Sequence, residues 1–83
     1  MKMYFITFRS VTPAQRGQRI LQQAGIACAL LRTPRWMEER GCGYCLRLRP
    51  ESAMEAVDLL RQAHLSFSKI YAGTDHGAQE VQL

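Results

Sequence analysis

Cysteine is scarce in this chain: Cys28, Cys42 and Cys45 are an odd number and too few for a disulfide framework. Long apolar runs are absent too. Charges interrupt every hydrophobic stretch before the roughly 18 residues a membrane helix needs. Arg9 follows Met1 to Phe8 too closely for a signal peptide, so the expected location is the cytoplasm, with no membrane partner. Six Gly and three Pro argue against a collagen-like or low-complexity chain. No carboxylate pair is spaced for acid–base work, and Glu38-Glu39 reads as a solvated pair. A Gly-rich phosphate loop and a Ser-His-Asp set are also missing. The cysteines with His64 and His76 lack zinc-finger spacing, so no metal or cofactor is expected. These gaps leave no acid–base, phosphate-cradling or metal chemistry legible in the residues.

What is present suits one small globular domain. Of the 83 residues 47% are hydrophobic and 22% charged. A chain of this size buries roughly 60–65% of its unfolded surface. The net charge of +4 is unevenly spread, with nine Lys/Arg against two Glu in residues 1–50 and two against five Asp/Glu in residues 51–83. Nine of the eleven cations are Arg, which forks onto oxyanions. They stand singly with no basic run, which argues against nucleic acid as a partner.

Met3 to Phe8 is rich in aromatic and β-branched residues and reads as a central strand. Thr12-Pro13-Ala14-Gln15 reads as a helix start, with Thr12 as N-cap, Pro13 at the first helical position and Gln15 closing a capping box. Ala14, Gly17, Leu21 and Ala24 form its apolar stripe, and Gly25 ends it. Ile26 to Leu31 is a second strand, broken by Thr33-Pro34. After a polar connection from Arg32 to Gly43, Tyr44 to Arg49 alternates, with Tyr44, Leu46 and Leu48 one way and Cys45, Arg47 and Arg49 the other. Ser52-Ala53-Met54-Glu55 is a second capping box. It opens a helix whose buried stripe runs through Ala53, Ala56, Val57, Leu60 and Ala63. Phe67 to Tyr71 is the last strand, and residues 73–83 read as a flexible tail. The expected fold is α+β, a ferredoxin-like βαββαβ two-layer sandwich with a four-stranded antiparallel sheet and two helices on one face. The domain spans residues 1–72.

That topology brings Arg9 to Thr12, Arg32 to Gly43 and the turn near His64 to one end. Cys42 sits there between Gly41 and Gly43, small neighbours that leave its sulfur accessible. Arg9, Arg35 and the first helix's N-terminus stabilise a thiolate at that end. Ser10 reads as a cap or an anion contact, with capping preferred. Cys28 reads as a small core residue, and His64 as a helix C-terminal cation. Cys45 completes a Cys-x-x-Cys spacing, but three extended residues put the Cα atoms about 10 Å apart, beyond the roughly 7 Å a disulfide tolerates. Gly43 could fold the segment back, so a Cys42/Cys45 redox switch stays open.

Phe8-Arg9-Ser10, Thr33-Pro34-Arg35 and Cys42-Gly43 leading into Leu46-Arg47 resemble the selenium/sulfur carrier protein-like family, a small bacterial and archaeal domain. The resemblance covers about residues 3–72. It implies that Cys42 is the attachment point, with Arg9, Ser10, Thr33, Pro34, Arg35, Gly43 and Arg47 around it. It also implies a persulfide or selenopersulfide as cargo, with a cysteine desulfurase or a SirA-like sulfur carrier as partner. Cys45 departs from the family pattern, where a small or apolar residue is usual. The alternative from the residues alone is a non-catalytic interaction module. It would dock or homodimerise through the sheet face that carries Arg47 and Arg49.

Overall fold

The computed structural model describes residues 2–34, 43–74 and 77–83. The elements run β1 (Met3–Phe8), α1 (Val11–Gln23), β2 (Cys28–Arg32), β3 (Tyr44–Leu48), α2 (Pro50–Gln62), β4 (Ile70–Thr74) and β5 (Gly77–Val81). The strands form one antiparallel sheet in the order β2-β3-β1-β4-β5. The fold is α+β, as expected, but the sheet has five strands where the sequence predicts four. Gly77–Val81, read as tail, pairs with β4 from Thr74↔Gly77 to Ile70↔Val81. β4 also starts later than expected, at Ile70, and runs on to Thr74. No helix among the described residues is long and apolar enough to cross a membrane.

Both helices begin earlier than the capping boxes suggest. Ser10 is the N-cap of α1 and Arg49 that of α2, and neither side chain makes a cap hydrogen bond. The first four N–H groups of a helix have no intrahelical partner. Pro13 is therefore tolerated as the third helical residue and does not mark the first. In α2, Pro50 takes the first position itself, where its fixed φ suits a helix start. Gly25 ends α1 with φ +80°, and the Gly25 and Ile26 N–H groups donate back to Gln22 and Leu21. The same pair of bonds closes α2, where His64 adopts the left-handed conformation at φ 56° and Leu65 donates to Leu60.

The two helices pack on one face of the sheet. Ala14, Leu21, Ala56, Val57 and Leu60 meet Ile6, Phe8, Leu46, Leu48 and Ile70 there in the main core. The opposite face carries a second cluster of Phe5, Cys45 and Tyr71, flanked by Met3, Leu31 and Ala78. The alternation along β3 is as the sequence reads it. Its second face, however, is dry at Cys45 (0% exposed) and wet only at Arg47.

Candidate functional site

Strand register brings the segments of interest to one end of the sheet. Phe8 at the end of β1 pairs with Tyr44 at the start of β3, so Arg9, Ser10 and the opening turn of α1 lie at the end of the sheet where β2 stops and β3 begins. Thr7 holds the segment ahead of β4 at the same end. Its N–H and hydroxyl donate to the Lys69 carbonyl at 2.9 and 3.2 Å, and its carbonyl and hydroxyl accept from the Ser68 and Lys69 N–H groups at 2.8 and 3.0 Å.

Thr33-Pro34 shapes the mouth of the β2–β3 hairpin. A residue before proline is driven into extended geometry. Thr33 therefore continues the ladder one step beyond β2 and donates its N–H to the Gly43 carbonyl at 3.0 Å. Pro34 has no N–H to take it further. Beside this closure Arg32 donates from a guanidinium nitrogen to the Tyr44 hydroxyl at 3.2 Å, and its guanidinium carbon lies 5.1 Å from the Tyr44 ring centroid. Sequence reasoning passed over Arg32. Its position opposite an aromatic across the hairpin becomes readable once the strand register is known.

The structure brings Arg9, Ser10, Thr33, Pro34 and Gly43 to this end. Arg9 and Ser10 are exposed, Pro34 and Gly43 half-buried. The first turn of α1 holds no acidic residue to offset the helix's positive end. Arg47 stands apart, opposite Phe5 and Ala29 in mid-sheet on the face away from the helices. Cys42, Arg35 and the neighbouring Gly41 and Trp36 lie outside the described residues.

Burial disfavours the thiolates of Cys45 and, less fully buried, Cys28. Burial pushes the Cys45 thiol above its ordinary 9.0, and the neighbouring Thr33 hydroxyl and Arg47 guanidinium only partly pull it back. Burial likewise raises Cys28. Thr33 is 7% exposed, and its Oγ1 meets no partner within ordinary hydrogen-bond limits. The Cys45 sulfur beside it is a weak partner, which leaves the hydroxyl poorly satisfied. A buried orphan polar group costs about 1–3 kcal/mol. Thr33→Val keeps the branched shape without the hydroxyl. It should raise stability by about 1 kcal/mol, or the melting temperature by roughly 4–8 °C. A melting temperature that falls instead would show that the hydroxyl is satisfied.

No group of three or more His, Cys, Asp and Glu among the described residues could hold a metal ion. No curated protein and no solved structure matches the chain. The family described as "Putative Se/S carrier protein-like" matches residues 3–72, from the first residue of β1 into β4, and leaves β5 outside the match. With the match covering nearly all of the packed core, the chain belongs to this selenium/sulfur carrier protein-like family.

Proposed function

We propose that the protein is a sulfur or selenium carrier whose covalent attachment point is Cys42. Family membership over residues 3–72 is the observation that carries this reading. The support from the fold is local. Gly43, next to Cys42 in the chain, is pinned to Thr33 across the hairpin mouth, at the end where α1 opens beside Arg9. In this reading residues 1–72, which hold β1 to β3, both helices and the start of β4, form a ferredoxin-like carrier unit, and β5 is an addition to it.

The transfer needs no oxidant. The Cys42 thiolate attacks the terminal sulfur of a donor persulfide. The donor's S–S bond breaks, its thiolate leaves with the electron pair, and Cys42 holds the persulfide. An acceptor thiolate then attacks the outer atom, and Cys42 leaves as the thiolate. Selenium follows the same course as the outer atom. Arg9, Arg35 and the α1 N-terminus favour each anion. A cysteine desulfurase is the proposed donor, and a SirA-like sulfur carrier the proposed exchange partner.

Burial of Cys45 weighs against a Cys42/Cys45 switch, because the thiolate needed for exchange is disfavoured there. The dimer reading also loses ground, since Phe5 (3% exposed) and Cys45 already bury the middle of the open face.

The test is intact-mass and peptide mass spectrometry after incubation with a cysteine desulfurase and cysteine. The expected result is one added sulfur on Cys42, none on Cys28 or Cys45, and no loading of Cys42→Ser. Equal loading of Cys42→Ser would refute the proposal.

A further inference from the structure

The β2 edge of the sheet has features that neither the core nor thiol transfer uses. β2 pairs with β3 on one side and, among the described residues, with no strand on the other. Its outward N–H and C=O groups therefore form a template for another strand. Against this edge Ala27, Cys28 and Ala29, with Met3, Arg47 and Arg49, line a hollow of about 250 Å³. Arg47 and Arg49 are exposed and two positions apart on extended chain, so both rise from the face away from the helices. Neither guanidinium is in an ion pair or hydrogen bond among the described residues. Among the described residues the acidic side chain on this face is Glu80 of β5, which lies at the far edge and is held by Lys69 at 3.5 Å.

We propose that the β2 edge docks an extended acidic segment of a partner protein as a sixth strand, its carboxylates meeting Arg47 and Arg49. Adjacent strands lie about 4.8 Å apart, so a side chain on the added strand stands one strand from Ala29 and two from Arg47. Ala29 and Ala27 are the smallest side chains that keep a Cβ, and they leave that path open to a long guanidinium stem. A planar fork then meets a carboxylate through two N–H donors. Backbone pairing supplies affinity and the two arginines supply choice, as in other strand-addition complexes. The hollow's apolar walls and its two cations suit a peptide better than a nucleic-acid backbone. A second copy would bring its own Arg47 and Arg49 against the same edge. Docking here is independent of cargo on Cys42, so Cys42→Ser should retain it.

The probe is a fluorescein-labelled Thr-Glu-Val-Glu-Thr-Glu-Val peptide, followed by anisotropy and by amide shifts of the full chain. Saturable binding is expected, with shifts concentrated over residues 27–32. The Arg47→Gln/Arg49→Gln variant should bind at least about tenfold more weakly, since it loses both charge-assisted contacts to the carboxylates. Both side chains are exposed, so that variant should melt at the wild-type temperature, and a peptide with Lys for Glu should not bind. Absent saturation, undiminished binding by the variant, shifts confined elsewhere, tighter binding of a labelled single-stranded RNA, or competition from self-association at this edge would each overturn the proposal.

Discussion

Replacing Leu46 by Ala should destabilise the protein by about 3–4 kcal/mol, near the middle of the range for a buried leucine. Leu46 is fully buried on β3, opposite Ile6 of β1 and Leu30 of β2. Ladders on both sides hold the β3 backbone, so the sheet cannot sag into the space the side chain leaves. The helix above is held as well. Gly17 lets α1 sit low over this spot: a Cβ added there would come within 3.2 Å of Leu46 Cδ1 and Phe8 Cζ and 3.3 Å of Leu65 Cδ2. For a chain this short the loss is a large share of a total of about 5–15 kcal/mol, and the melting temperature should drop on the order of 20 °C. The same geometry predicts coupling. Alanine favours a helix interior by about 1 kcal/mol over glycine. Gly17→Ala cannot realise that gain while Leu46, Phe8 and Leu65 crowd the site, and should recover part of it in the Leu46→Ala background. Denaturant titrations of the two single variants and the double variant measure this. Strict additivity, or a Leu46→Ala loss under about 1.5 kcal/mol, would mean that helix and sheet are packed more loosely than described.

Gly73→Val should free β5 from the sheet. Gly73 stands opposite Ala78 in the β4–β5 register, and a Cβ there would run into the Gly77 carbonyl oxygen and the Ala78 Cα and Cβ. Two of these are backbone atoms, which cannot swing aside as a side-chain tip can. Overpacking of this kind costs about 1–3 kcal/mol. The cost is capped by what β5 contributes, since the chain can release that strand and keep its helix-facing core. Besides the ladder, the contacts described for this end of the chain are Ala78 and Val81 packed part-buried against the two clusters, Leu83 beside them, the Lys69–Glu80 pair, and a bond of 2.8 Å from the Arg61 guanidinium to the Leu83 carbonyl. Hydrogen exchange should therefore show protection lost over residues 77–81 and kept in β1 and β3. Unchanged protection of residues 77–81 in a folded variant would show that the backbones do not approach so closely.

Elements whose own residues contain the reason for them were legible in the sequence. Met3–Phe8 has β-branched or aromatic side chains at every position after Met3 and is β1 from end to end. The Ala14, Gly17 and Leu21 stripe is the buried face of α1, because 3.6-residue periodicity is a property of the chain itself. Gly25 at φ +80° ends α1 because only the lack of a Cβ makes that conformation free of strain. Cys42 is nominated from its Gly neighbours, its place in the topology and the resemblance, and stands as the proposed attachment point.

What the sequence left open depends on partners distant in the chain. Gly-Ala-Gln-Glu-Val has weak strand character, and Gly77–Val81 is a strand because β4 offers an unpaired edge to accept it. The capping boxes at Thr12 and Ser52 lost to starts at Val11 and Pro50, since a single cap bond is small beside where the preceding strand delivers the chain. Alternation puts Cys45 on the face away from the helices, which predicts exposure. Tertiary packing with Phe5 and Tyr71 makes it the most buried cysteine described and lifts its pKa. The unsatisfied Thr33 hydroxyl belongs to this class too. Sequence determines that Thr33 is extended ahead of Pro34, but burial of its Oγ1 is decided by what packs around it, because desolvation is a property of the assembled neighbourhood and not of the residue.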